Sequence, residues 1–217
     1  MYNLPYFKEQ DETVIIEFMK QHPFVVLCGC NGIHQPVATQ VPVLVDIREE
    51  KIYLTGHMMK QTDHHKAFEI NKQALVLFTG PHTYVSASWY TKMQQASTWN
   101  YMTIHAKGLI KFLPEERLYA VLERTTALFE NNDQSPSLVP HLPSEYVSSL
   151  SKAIIAFEIE VASLENVFKL SQNRDAESYN NIINKLKTGN EDARQIAGEM
   201  QKRAGALFGE RKESVQP

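Results

Sequence analysis

Apolar positions recur at helical spacing in "DETVIIEFMKQHP" (residues 11–23), with Val14, Ile15 and Phe18 on one side. This predicts a short amphipathic helix that stops before Pro23. The run "FVVLCGC" that follows predicts a buried strand, and "NGIH" a tight hairpin turn of the Asn-Gly kind. The returning strand is "QPVATQVPVLVDI", where Pro36 and Pro42 point to an edge or a bulge. A polar turn, "DIREEK", leads into a third strand, "IYLTGHM", and a polar segment helical in its later part leads to a fourth, "ALVLFTG". Strands joined by short polar connections predict an antiparallel meander that closes into a barrel or sandwich.

The pattern continues with a long strand, "NYMTIHAKGLIKFL", expected to bend at Gly108. The clearest helix is "PEERLYAVLERTTALFEN": Pro114 opens it, Glu115 and Glu116 occupy its first turn, and Leu118, Val121, Leu122, Thr125 and Leu128 keep helical spacing. A short helix capped by Ser144 is expected next, then "AIIAFEIEVASLENVFKL" as a last strand pair. Two polar helices separated by Gly189 follow Asp175, and residues 211–217 are expected to be a disordered tail. The expected organisation is a barrel domain over 1–170 and a helical extension over 171–210.

Length and charge narrow the classes. A chain of 217 residues buries about 70% of its unfolded surface and needs neither disulfide nor metal to hold a core. The net charge of −3 argues mildly against general affinity for nucleic acid. The amino terminus lacks a basic and apolar leader, and the longest apolar run is too short to span a bilayer, so a cytoplasmic protein is expected with no membrane partner. Cys28 and Cys30, the only cysteines, suit neither a long-range staple nor a full zinc site and read as two small buried hydrophobes.

Catalysis by side chains alone finds no footing. No G-x-S-x-G elbow and no H-E-x-x-H occurs, and no metal site is expected. The adjacent His64 and His65 point about 100° apart on a helix and read as solvent-facing. A planar anionic cofactor fits better. In "LTGHMMK" Thr55, His57 and Lys60 offer donors to a phosphate, and Thr39 and Gln40 add polar groups on a strand. The stretch "GPHTYVSASWYTKMQQASTWNY" (80–101) holds both tryptophans. Trp89, Tyr90, Trp99 and Tyr101 offer ring walls and Asn100 a polar edge, although such aromatics equally suit a dimer interface.

"GPHTYVSASWY", "STWNYMTIHAKG" and "FKLSQNR", in that order and spacing, resemble the PaiB family of FMN-binding split-barrel proteins described as negative transcriptional regulators. The resemblance runs from Met1 to about Met200. It implies a mainly β fold with helices, a six-stranded antiparallel split barrel, and a homodimer with FMN at the interface. It implies a cradle for the ribityl phosphate around Thr39, Gln40, Thr55 and Lys60, ring contacts from the Trp89 and Trp99 motifs, and an approach of Lys169, Gln172, Asn173 and Arg174 to the pocket. Two departures stand out. Gln40 replaces a usual histidine, and Lys60 replaces an arginine, exchanging a bidentate fork for a point charge. The expected partner is a DNA operator or a regulatory protein. The alternative is a flavin-dependent oxidoreductase of the split-barrel type, with His105 or Tyr101 as proton donor. A third reading is a barrel without flavin that takes haem or a metal through His57 and His105.

Overall fold

The structure is a computed structural model that describes residues 1–2, 4–92 and 94–209; the tail expected over 211–217 lies outside them. Six antiparallel strands follow one another as β1 (Phe24–Cys30), β2 (Pro36–Arg48), β3 (Lys51–Met59), β4 (Gln73–Val85), β5 (Thr98–Phe112) and β6 (Ile154–Lys169). They close into a barrel in the order β1-β2-β3-β6-β5-β4. Among the described residues six α-helices accompany them: α1 (Glu12–Gln21), α2 (Asp63–Ile70), α3 (Glu115–Glu130), α4 (Ser144–Ser151), α5 (Ala176–Leu186) and α6 (Glu191–Phe208). The barrel with added helices is the expected fold class.

The chain divides into two compact units. One comprises Asp11–Thr79 and Ile104–Glu165, and so holds β1–β3, α1–α4 and the greater part of the barrel ladder. Its interior is apolar and fully closed, with Val25, Leu27, Leu54, Val76, Phe78, Ile104, Phe157 and Ile159 almost inaccessible to solvent. Alternate residues of β3 and β5 point inward, as a strand's period of two requires. Gly108 marks a close approach: a Cβ there would lie 2.1 Å from the Glu160 carbonyl oxygen on β6.

The other unit comprises Met1–Gln10, Gly80–Thr103 and the chain from Asn166 onward. Here α5 and α6 pair through Tyr179, Ile182, Ile183 and Leu186 on one helix and Ala193, Ile196, Ala197 and Met200 on the other, all buried. Helices that read as polar are therefore amphipathic. Asp175 caps α5 by accepting 2.9 Å from Ser178 N, and Asn190 caps α6 by accepting 2.9 Å from Ala193 N.

Several local expectations change. The stretch "AIIAFEIEVASLENVFKL" is one 16-residue strand rather than a pair, its exposed middle carried by continuous backbone extension. β4 continues past Gly80 and Pro81 to Val85, so the aromatic stretch begins inside a strand. The loop after β1 is not a two-residue Asn-Gly turn. Asn31 closes a five-residue loop by accepting from Ile33 N and Gln35 N, and the left-handed residue is His34 (φ 62°), not Gly32. β2 lies between β1 and β3 in the barrel, yet Pro36 and Pro42 fall in a part of it that is paired on one side only. Its first part, through Pro42, pairs with β1, and from Val43 it pairs with β3. The missing N–H of Pro42 falls at this change of partner, where it costs little.

Ser144 is the first residue of α4 rather than its cap, since Pro143 occupies that place. Leu128, expected on the inner face of α3, is half exposed. Cys28 and Cys30 share the face of β1 opposite buried Val25 and Leu27 and are only half-buried. Burial still pushes the Cys28 thiol up. His65 corrects the solvent-facing reading. The Thr62 cap sets the phase of α2 so that His65, Ala67 and Phe68 turn inward, and the His65 ring packs 4.9 Å from that of Phe112.

Candidate functional site

In the barrel unit the candidate phosphate ligands cluster at the end of β3. Thr55 lies opposite Leu44 on β2 and Glu158 on β6, His57 lies opposite Ala156, and the Lys60 amide donates 2.8 Å to Ala153 O. Leu54, Gly56 and Met58 fill the interior, so Thr55 and His57 stand on the outer side of the strand. His57 Nδ1 is buried without a hydrogen-bond partner, and burial holds the imidazole below its ordinary pKa. It is therefore neutral at pH 7. Lys60 is half-buried beside a small cavity of about 60 Å³ lined by Leu118 and Ile154. No described residue takes a hydrogen bond or ion pair from its ammonium.

Thr39 and Gln40 lie in the part of β2 laddered to β1, opposite Leu27 and Val26. Thr39 is half-buried and Gln40 is exposed. No hydrogen bond among the described residues joins either to Thr55, His57 or Lys60. His105 stands half-buried on β5 between buried Ile104 and Ala106, and burial lowers its pKa.

The other unit assembles the aromatic stretch and "KLSQNR". Lys169 is 9% exposed and donates 2.5 Å to Thr98 Oγ1 and 2.6 Å to Trp99 O. Burial, and then the neighbouring Arg174, hold its ammonium below the usual lysine range. Asn100 is fully buried, with its Oδ1 accepting 3.0 Å from Ser171 Oγ and its amide donating 3.5 Å to Met200 Sδ. Gln172 folds back on its own segment, accepting 2.7 Å from Leu170 N and donating 2.5 Å to Phe168 O. Arg174 bonds Gln95 and lays its guanidinium 4.1 Å over the Tyr90 ring.

The tryptophans differ. Trp89 is half-buried in a single helical turn after β4. Trp99 is 53% exposed, with Tyr84 edge-on at 6.0 Å and His82 at 6.1 Å. Tyr101, half-buried on β5, has its phenol pushed up by burial. The Tyr90 hydroxyl and Arg174 Nε are buried without partners. The sequence pointed to an approach of Lys169, Gln172 and Arg174 to the aromatic segment but assigned residues from 171 onward to a separate helical extension, and it gave no hint that Asn100 and Lys169 spend their polar atoms inside one unit. It missed Ser171 and Thr98, whose hydroxyls complete that network.

Among the described residues no group of three or more His, Cys, Asp or Glu is placed to hold a metal ion, and no helix is long and apolar enough to cross a membrane. Residues 1–163 match the family described as "Putative FMN-binding domain". The chain is 32% identical over 199 residues to the protease synthase and sporulation protein PAI 2 of Bacillus subtilis, covering 91% of this chain and 95% of that one. An uncharacterized protein of Emericella nidulans is 27% identical, over 80% of this chain and 82% of its own. Among solved structures, an FAD- and haem-binding protein from Mycobacterium smegmatis superposes with a TM-score of 0.55 at 14% identity, over 74% of this chain and 72% of that one. The flavocytochrome Anf3 from Azotobacter vinelandii gives 0.54 at 12% identity, over 77% and 72%. At such identities these structures speak to the fold.

Proposed function

The chain belongs to the PaiB family of FMN-binding proteins, and we propose that it holds the FMN phosphate at the end of β3 and acts as a homodimeric, flavin-responsive negative regulator of gene expression. The observation that carries the site is Lys60. The half-buried Lys60 side chain has no hydrogen bond or ion pair among the described residues and lies three residues along the chain from the buried, unpartnered His57 Nδ1, so its ammonium is free to meet an anion. Thr55 on the same outer side of β3 adds a hydroxyl. The donor set suits a phosphate, and FMN when bound would supply redox chemistry.

In this reading Asn100, Lys169 and Gln172 act as positioning residues, since their polar atoms already hold the aromatic segment in shape. Exposed Trp99 with Tyr84, half-buried Trp89, and Tyr90 under Arg174 provide aromatic surface for the flavin ring or the second subunit. Thr39, Gln40 and His105 remain proposed contacts of the cofactor's polar chain. A regulatory role is supported by the name of the Bacillus relative, which links it to protease synthesis and sporulation. The net charge of −3 favours a regulatory protein partner over a DNA operator. A cytoplasmic location follows from that role.

Titration of the apoprotein with FMN, followed by quenching of flavin fluorescence, tests the site. Lys60→Ala weakens binding by at least tenfold, about 1.4 kcal/mol. An unchanged dissociation constant removes Lys60 from the phosphate site. Steady turnover of NAD(P)H by the flavin-loaded protein would instead favour the oxidoreductase.

A further inference from the structure

The geometry points to a binding site for a compact phosphate-bearing anion in the cleft between α3 and the outer side of β2, β3 and β6, a site that does not depend on the reading of Lys60. The cleft encloses about 390 Å³, within the range of small-ligand pockets. Three arginines line it, Arg48 from β2 and Arg117 and Arg124 from α3. Arg48 donates 2.5 Å to Glu158 Oε2, and Arg124 donates 2.6 Å to Asp46 Oδ1. The side chain of Arg117 has no hydrogen bond or ion pair among the described residues.

Three guanidiniums against two carboxylates leave one positive charge in surplus, on a chain whose net charge is −3. Each paired arginine spends one of its five N–H donors on its carboxylate, so donors remain for the oxygens of a multiply charged phosphate. Arg48 is also held flat, 3.7 Å over the Tyr53 ring, which fixes its fork. Helix stability does not account for Arg117. It sits in the first turn of α3, where a cation opposes the helix dipole by about 0.3–1 kcal/mol. Buried Thr55 adds a hydroxyl at the cleft's floor, and Leu113 with Val121 forms an apolar wall for the organic part of a ligand.

Phosphate is the shared chemistry of two sources, the phosphate end of FMN and a separate phosphorylated metabolite. Isothermal titration of the full chain with inorganic pyrophosphate decides whether the site exists. The expected result is one site per chain, weakened at least tenfold in Arg117→Gln and partly restored in Arg117→Lys. Arg117 is exposed, so both variants fold, as circular dichroism verifies. The same titration in Lys60→Ala retains wild-type affinity, which separates failure of this site from failure of the β3 reading. Repeating it with saturating FMN distinguishes the sources: competition assigns the cleft to the FMN phosphate, and unchanged binding assigns it to a second ligand. Absence of pyrophosphate binding, or equal affinity in wild type and Arg117→Gln, overturns the proposal.

Discussion

Lys169 holds the backbone of Trp99: its ammonium donates 2.6 Å to the Trp99 carbonyl while reaching Thr98 Oγ1 from the same nitrogen. Two motifs about 70 residues apart are thereby fastened by one side chain, at the base of an exposed tryptophan. The charge resides in a largely buried place, and its lowered pKa records that cost.

Lys169→Met keeps an unbranched side chain of nearly the same length and removes its donor. The Trp99 carbonyl then loses its partner, at an expected cost of about 1–3 kcal/mol. Denaturant unfolding followed by tryptophan fluorescence reads both the stability loss and the changed setting of Trp99. A midpoint equal to wild type would show that the bond contributes nothing net.

Gly108 tests the close approach of β5 and β6. A methyl group there meets the Glu160 carbonyl at 2.1 Å and the Ile159 side chain at 2.9 Å, and neither is the free end of a flexible chain. Gly108→Ala therefore destabilises the protein by about 1–3 kcal/mol, the usual cost of overpacking. A thermal melt measures it. Gly198→Ala serves as the control, because a Cβ there meets nothing within 4 Å.

His22, His57 and His105 all have pKa values lowered by burial. Their unfolded values lie near 6.5, so below that pH the unfolded chain binds more protons than the native one. Stability accordingly falls as pH drops from about 6.5 through the native pKa values, and it levels off above. Urea midpoints between pH 5 and 8 test this, and His57→Gln flattens the acid side. A pH-independent midpoint over this range would contradict the burial of these rings.

Much of the fold is legible in the sequence because the strong signals are local. The apolar spacing and Asp11 set α1, and Pro114 with two glutamates sets the start of α3. The errors arise where tertiary context overrides a local cue. The polar centre of β6 reads as a turn, yet the ladder with β3 ends at Glu160 and the strand runs on to Lys169 with β5 as its other neighbour in the barrel. Gly80 and Pro81 look like a strand end, yet β4 continues through them. His65 looks like half of a solvent-facing doublet until the Thr62 cap fixes the helix phase.

The candidate site shows the same division. Thr55, His57 and Lys60 are near one another in sequence and so could be found together. Arg48, Arg117 and Arg124 come from β2 and α3 and meet only through folding, so no local pattern announces them.

The most direct test of FMN binding is the visible absorption spectrum of the purified protein after addition of excess FMN and desalting. The account predicts flavin bands that stay with the protein at close to one FMN per chain. A colourless protein, with all flavin recovered in the low-molecular-weight fraction, would contradict it.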